Sequence, residues 1–354
     1  MKSLKPIALS LLLAGSCASV FAAATPADIQ AADKCIEKGN EFFAKMKVKE
    51  AASQYREAIR LNPDSAKAHQ RLGAVLAASD DYETAILEEN TSLRLDSTYF
   101  LPHVVIGQIY ANQGKNKEAI AEFRKAVELK PTSFRAHLDL GMMLATIGEN
   151  DEAIEIYRKA MKINEKDAAP HVNLGVLLAQ KNQIKEAIAE EEEAIKIDPQ
   201  SPEAFINLGN ILADSGDIEG ATKNFRQALK IAPDHPNAHS GLGWMLAKQG
   251  NHKDAIVEQR KALKVFPTFG PAHRRLAQSY NASGDFANAQ KEYKEAIKIN
   301  DKDTTSHLEY AEMLKAKGMY DEARVEYTKV KQINPEIKAA TDGLNSLPKQ
   351  SAKK

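Results

Sequence analysis

Cysteine is nearly absent from this chain: Cys17 and Cys35 are the only two in 354 residues. If Cys17 leaves with an N-terminal leader, no intrachain disulfide can form, whatever the redox compartment. Aromatic residues make up 6% of the sequence and include a single tryptophan, Trp244. Charge of one sign is also lacking, with 48 basic against 48 acidic residues. That balance excludes the basic excess of a nucleic-acid-binding protein. No segment beyond the N-terminus approaches the roughly 20 apolar residues of a membrane-crossing helix. There is no G-x-S-x-G, no H-E-x-x-H and no Gly-rich phosphate loop, so no catalytic constellation stands out and no cofactor is implied. A hydrophobic fraction of 43% is still ample for a folded core.

The first residues read as a leader. Lys2 and Lys5 precede an apolar run from Ile7 to Ala14, and small residues follow through Ala24. This is the order of an export signal, with an apolar stretch too short to span a bilayer. Cleavage is expected after Ala22 or Ala24. Residues 1–22 are then a signal peptide, 23–31 a linker, and the mature chain sits in a periplasm or outer envelope. A second reading of the same stretch is that LLLAGSC resembles a bacterial lipoprotein signal, which would make Cys17 a lipid-anchor site. Cys35 is expected as a small, buried, apolar residue.

What is abundant is repetition. Leu140-Gly141, Leu174-Gly175 and Leu208-Gly209 recur at a spacing of 34 residues, and the period extends without insertion or deletion from Ala32 to Ile337. Nine units begin at Ala32, Ala66, Phe100, Phe134, Ala168, Pro202, Pro236, Gly270 and Thr304. Slot 20 is alanine in every unit, from Ala51 to Ala323; slot 8 is glycine from Gly39 to Gly243 and alanine at Ala277 and Ala311. Slots 4, 7, 8 and 11 form one apolar stripe at helical spacing, and slots 17, 20, 24 and 27 form a second. Slot 15, between them, holds Gly114, Gly148, Gly216, Gly250, Gly284 and Gly318, with Asp80 and Asn182 in two others. These residue types accept the left-handed conformation that closes a helix.

The pattern resembles the tetratricopeptide repeat, whose period and Leu-Gly, Ala and Pro positions it shares. The resemblance covers residues 32–337. It implies an all-α solenoid of helix-turn-helix units stacked into a superhelix, with the first helix of each unit lining a concave groove. Residues 338–354 are expected to supply a capping helix, with Leu344 in the leucine slot, and a basic tail.

Seven of the nine histidines share slot 4: His69, His103, His137, His171, His239, His273 and His307. A shared metal does not fit. Equivalent residues lie two helix layers apart, at roughly 8–10 Å per layer, too far for a common zinc at about 2 Å from each nitrogen. Packing is the expected role. If the small residues at slots 8 and 20 meet across the antiparallel pair, contacting slots sum to 28 and slot 4 faces slot 24. His137 would then meet Tyr157, His273 Tyr293, His307 Tyr327 and His103 Phe123. In two units the ring is a carboxylate, so His69–Glu89 and His171–Glu191 are expected as pairs. The run Glu190–Glu193 reads otherwise as a solvated outer face.

The groove is the expected site. With packing slots removed, slots 2, 5, 6, 9, 12 and 13 of the first helix remain on its open face. Asn173 and Asn207 occupy slot 6 in successive NLG runs. They resemble the asparagine ladder of O-linked N-acetylglucosamine transferases, although Asp139, Gly241 and Arg275 fill neighbouring rungs. Asn210, Trp244, Arg274, Arg275, Gln278 and Asn281 follow on the same face. Amides and guanidiniums suit main-chain carbonyls and carboxylates, and a lone tryptophan suits an anchor. The expected function is a non-enzymatic scaffold that binds a protein or peptide in the groove. Its alternatives are a lipid-anchored envelope assembly factor and an accessory subunit that presents substrate to a separate enzyme.

Overall fold

The computed structural model describes residues 23–348, which form nineteen α-helices and, among the described residues, no strand. They fall into two compact arrays divided between Thr132 and Ser133. The N-terminal array holds α1 (Pro26–Ala44), α2 (Val48–Leu61), α3 (Ala66–Ala77), α4 (Tyr82–Leu95), α5 (Phe100–Asn112) and α6 (Asn116–Leu129). The C-terminal array begins with α7 (Phe134–Thr146), α8 (Asn150–Ile163), α9 (Ala169–Gln180), α10 (Ile184–Ile197), α11 (Pro202–Asp214) and α12 (Ile218–Ile231). It continues through α13 (Pro236–Lys248), α14 (His252–Val265), α15 (Gly270–Ala282), α16 (Phe286–Ile299), α17 (Thr304–Ala316), α18 (Tyr320–Ile333) and α19 (Lys338–Ser346). The expected signal peptide, residues 1–22, and the lipid-anchor candidate Cys17 lie outside the described residues.

Local chemistry starts and stops these helices. Ser65, Ser133 and Ser201 accept hydrogen bonds from the backbone N–H three residues on and so cap α3, α7 and α11. Asp81, Asp217 and Asp285 do the same for the second helices α4, α12 and α16. Within each hairpin the chain reverses at slot 15. Gly114, Gly148, Gly216, Gly250, Gly284 and Gly318 have φ between 71° and 90°, and Asp80, Asn182 and Met46 follow at 61°, 61° and 58°. The next N–H bonds back five residues, as Lys115 to the Tyr110 carbonyl, closing a left-handed C-cap. Residues 26–31 are not the linker that the repeat register suggested. Thr25 and Asp28 form a reciprocal capping box, and Pro26 opens α1.

Not every boundary keeps both signals: α5, α9, α13, α15 and α19 have no side-chain cap, and slot 31 is Lys130, Ala232 and Phe266 in three loops. Where six inter-unit loops carry Asn or Asp at slot 31, with Asn62, Asp96 and Asp198 each accepting from the N–H two residues on, the loop before α15 carries Phe266. Where serine caps elsewhere it carries Phe269, and α15 has no side-chain cap. The two rings stack on each other with centroids 5.6 Å apart.

Packing follows from the two stripes. Ala51, Ala85, Ala119, Ala153, Ala187, Ala221, Ala255, Ala289 and Ala323 are all fully buried. In the C-terminal array, first helices pack on first helices, α7 on α9, α9 on α11, α11 on α13 and α13 on α15, while second helices make no comparable contact with one another. A stack whose first helices lie closest curves toward them, so they line its inner face. At the far end, α19 covers the last pair with buried Ala340 and half-buried Leu344, joined by buried Leu347 just beyond its end.

The expected histidine register is corrected by the structure. The ring at slot 24 sits on the glycine at slot 8, not on the histidine: a Cβ added at Gly141 would lie 2.6 Å from the Tyr157 ring, and one at Gly107 2.7 Å from Phe123. The backbones do approach where slots 8 and 20 meet, with the Ala255 carbonyl 3.1 Å from the Cβ position of Gly243. But side chains lean toward the N-terminus of their own helix, so the slot-24 side chain covers the turn before it. The histidines therefore find slot 23. His69, His103, His171, His239, His273 and His307 place Nδ1 2.5–2.7 Å from Glu88, Glu122, Glu190, Glu258, Glu292 and Glu326. In the fourth unit slot 23 is Ile156, and His137 turns to the Ser133 carbonyl.

The pairs His69–Glu89 and His171–Glu191 therefore do not form. Glu89 and Glu191 are fully buried against Gly73 and Gly175, and no carboxyl oxygen of either makes a hydrogen bond. Burial pushes Glu89 up to about 9, with Glu88 adding and Arg71 opposing. Burial also pushes Glu191 up to about 8; the Asn207 amide of the next unit opposes this without a well-formed bond, and Glu190 adds to it. Both are neutral acids at physiological pH. The acidic run is thus not a solvated face: Glu190 holds His171, Glu191 is core, and Glu192 is the exposed member.

Candidate functional site

The inner face of the C-terminal array is set by which slots the stacking consumes. Slot 6, expected to be open, turns out to be a seam between units. Gly241 lies so close to the Phe225 ring of the preceding unit that a Cβ there would collide with it, and Gly343 on α19 stands in the same relation to Tyr327. Asn207 accordingly approaches the buried Glu191, and Asn173 is half-buried. The two asparagines do not form rungs of one open ladder. Asn173 lines a separate hollow with Val172, Asp198 and Glu203, among other residues of α9, the start of α11 and the loops on either side of the fifth unit.

Slots 9 and 13 stay open, and here the structure gathers predicted residues. Asn210, Trp244, Arg274 and Arg275 line one hollow of about 520 Å³ together with Asp214. A neighbouring hollow is lined by Val176, Gln180, Asn207, Asn210, Ile211 and Asp214, with others. Asn210 and Asp214 belong to both, so a continuous trough runs from Val176 on α9 across α11 and α13 to Arg275 on α15. It is apolar at the Val176 end and charged at the Arg275 end. Asp214 and the supporting residues Ser240 and Glu309 were not singled out from sequence. Asp214 alone carried a signal, as the single acidic residue at slot 13.

Arg275 is the centre of the charged end. Its guanidinium carbon lies 4.6 Å from the Trp244 ring centroid, and Nη1 donates to Ser240 Oγ at 3.0 Å. Burial lowers its pKa to about 10 and the adjacent Arg274 adds to this, while Asp214 and Glu309 oppose. It remains a cation at neutral pH, but among the described residues no carboxylate bonds to it directly. Arg274 is engaged differently: Nη1 donates to Glu309 Oε1 at 3.0 Å. Burial raises Glu309, against the pull of Arg274 and of the nearby Gln278 amide. Gln278 is thus part of the Arg274–Glu309 cluster, and Asn281 is exposed and does not line the hollow. Among the described residues no group of His, Cys, Asp and Glu could hold a metal ion.

No curated protein matches the chain in sequence. Among solved structures, it resembles the Cut9–Hcn1 hetero-tetramer of APC/C at 13% identity and a TM-score of 0.62, covering 89% of this chain and 75% of that one. PilF of Pseudomonas aeruginosa is similar at 19% identity and a TM-score of 0.54, covering 60% of this chain and 96% of that one. YrrB, described as a TPR protein with an unusual peptide-binding site, is 26% identical over 53% of this chain and 96% of that one, with a TM-score of 0.45. The family described as TPR repeat matches residues 39–80, 107–146, 143–182, 177–214 and 209–250. The family described as Tetratricopeptide repeat matches residues 272–303. With more than half its length matched by the family described as TPR repeat, the chain belongs to the tetratricopeptide-repeat family.

Proposed function

We propose that the chain is a non-enzymatic scaffold that binds an extended segment of a partner protein along the inner face of its C-terminal array. Repeats of this family support protein interaction rather than catalysis. The observation that carries the site is the trough shared through Asn210 and Asp214. Its chemistry suits a main chain. The Asn210 amide both donates and accepts, Asp214 accepts from N–H, Arg275 donates to carbonyls or a carboxylate, and Trp244 offers a flat apolar surface. Export to a cell envelope is part of the proposal and rests on the order of residues 2–24. Lipidation at Cys17 is the variant favoured by LLLAGSC, and blocked processing in globomycin would support it.

A photo-crosslinking residue at Asn210 tests the site against one at Val257, an exposed position on α14. The expected result is that one partner is captured from Asn210 and not from Val257, and that Arg275→Ala lowers the yield about tenfold. Equal capture from both positions would move the interface off the trough. With a partner in hand, Trp244, the single tryptophan, reports binding by its own fluorescence.

A further inference from the structure

The turn between the two helices of a unit follows one plan in eight repeats and breaks it in the first. Slots 12 to 18 read AASDDYE, ANQGKNK, ATIGEND, AQKNQIK, ADSGDIE, AKQGNHK, NASGDFA and KAKGMYD in the later units. The left-handed position is Gly, Asp or Asn in all eight, and their apolar residues fall mainly at the packing slot 17, as Tyr82, Ile184, Ile218, Phe286 and Tyr320 do. The first reads Phe43-Ala44-Lys45-Met46-Lys47-Val48-Lys49, three lysines and no acid. Met46 occupies the left-handed slot at φ 58°, a conformation that strains a side chain bearing a Cβ. It is 81% exposed, and Phe43 is 40% exposed. Lys45, Lys47 and Lys49 are exposed and make no ion pair among the described residues. A methionine that strains the backbone and touches little of its own chain does nothing for the fold that glycine would not do better.

We propose that this tip docks on an anionic lipid surface, with Phe43 and Met46 entering the headgroup region and Lys45, Lys47 and Lys49 meeting lipid phosphates. This goes beyond the peptide-binding reading and does not depend on it. A seven-residue protrusion is small beside the roughly 800 Å² per partner of a stable protein interface, whereas a bilayer surface demands no shape complement. Apolar side chains alternating with lysines suit that boundary, because the lysine stems lie along the apolar region and the ammonium groups reach the phosphates. Each lysine near such a surface raises partitioning about fivefold. Glu41 and Glu50 flank the tip, and the next turn carries Asp80 and Asp81. These acids confine the contact to the first turn at the end of the N-terminal array.

Flotation of the full chain with vesicles tests the proposal, with Cys17→Ser in every protein so that no acyl chain contributes. The N-terminal apolar run is then common to all samples. The wild-type tip is expected to partition at least tenfold better into vesicles of phosphatidylcholine with phosphatidylglycerol than into phosphatidylcholine alone, and to lose most of that gain in high salt. Lys45→Gln with Lys47→Gln and Lys49→Gln should remove most of the gain on anionic vesicles, leaving only what Lys2 and Lys5 contribute in every sample. Met46→Gly separates docking from folding. It should raise Tm by about 2 °C by relieving the left-handed methionine, yet lower partitioning about threefold. Equal partitioning into both vesicle types overturns the proposal, as does wild-type binding by the triple lysine variant or by Met46→Gly. Retention on immobilised polyglutamate without vesicle binding would assign the tip to an acidic protein instead.

Discussion

At the residue scale, two kinds of titratable group make this fold respond to pH in the same direction. His69, His273 and His307 each stand between a carboxylate at Nδ1 and a backbone carbonyl at Nε2. If the carboxylate is ionised, both ring nitrogens must donate, which describes an imidazolium. Burial acts to lower these pKa values, but the bonds to Glu88, Glu292 and Glu326 and to the carbonyls outweigh it, and the net shift is upward. A raised histidine adds stability that is fully present below the unfolded pKa and is lost as pH rises through the folded one. Glu89 and Glu191 act likewise from a different cause. Their folded values of about 9 and about 8 stand above the ordinary 4.5, so stability declines as pH rises from the unfolded value toward the folded one. Glu191→Gln isolates this effect. Gln259 occupies the same slot in the seventh unit, where Nε2 donates to the Ser240 carbonyl at 2.9 Å, so the slot accepts an amide. The variant should match wild type near pH 4.5 and exceed it by about 1–3 kcal/mol at pH 8. Thermal unfolding at the two pH values measures it, and a difference that ignores pH would contradict a neutral buried acid.

At the element scale, helix ends and hairpin turns were the most legible features of the sequence. Glycine, Asp80 and Asn182 at slot 15 appear in the structure as left-handed turns, because these depend on a few neighbouring residues. Contacts between helices were less legible. That slots 8 and 20 meet was readable from small residues; which side chains then touch depends on their tilt along the helix, and a shift of one turn exchanged His137 for Gly141 beneath Tyr157. The same limit hid the role of slot 6. Asn207 is polar and its unit is regular, but only the stack shows that it faces a carboxyl of the preceding unit. Asp214 joined the site for a similar reason, since its partners come from α13 and α15. The uncapped start of α15 yields a prediction of its own. Phe269→Ser should restore the cap that Ser65, Ser133 and Ser201 provide, adding about 1 kcal/mol and raising Tm by about 2 °C. An unchanged Tm would mean that the Phe266–Phe269 stack already compensates for the missing cap.

At the scale of the whole molecule, no unit owns a complete core. In the C-terminal array, the core that holds Phe225 on α12 also contains Ile206 from α11, Leu242 and Met245 from α13 and Ala255 from α14. The stability of a unit is therefore partly that of its neighbours, as expected of a linear array with nearest-neighbour coupling. The trough inherits that dependence, because its residues sit on α9, α11, α13 and α15 and are aligned only while the stack between them holds. Ala221 is a point at which to break it. It is fully buried on α12 at the slot that is alanine in every unit, and an indole there cannot fit without separating α11 from α12. Ala221→Trp should cost about 3 kcal/mol or more. Hydrogen exchange should show protection lost first in α11, α12 and α13, partly in α10 and α14, and least in α17 to α19. Binding to the trough should fall with it although no trough residue is altered. Loss of protection confined to α11 and α12, with binding intact, would show that the units fold independently and that the site is held by less of the array than its four contributing helices.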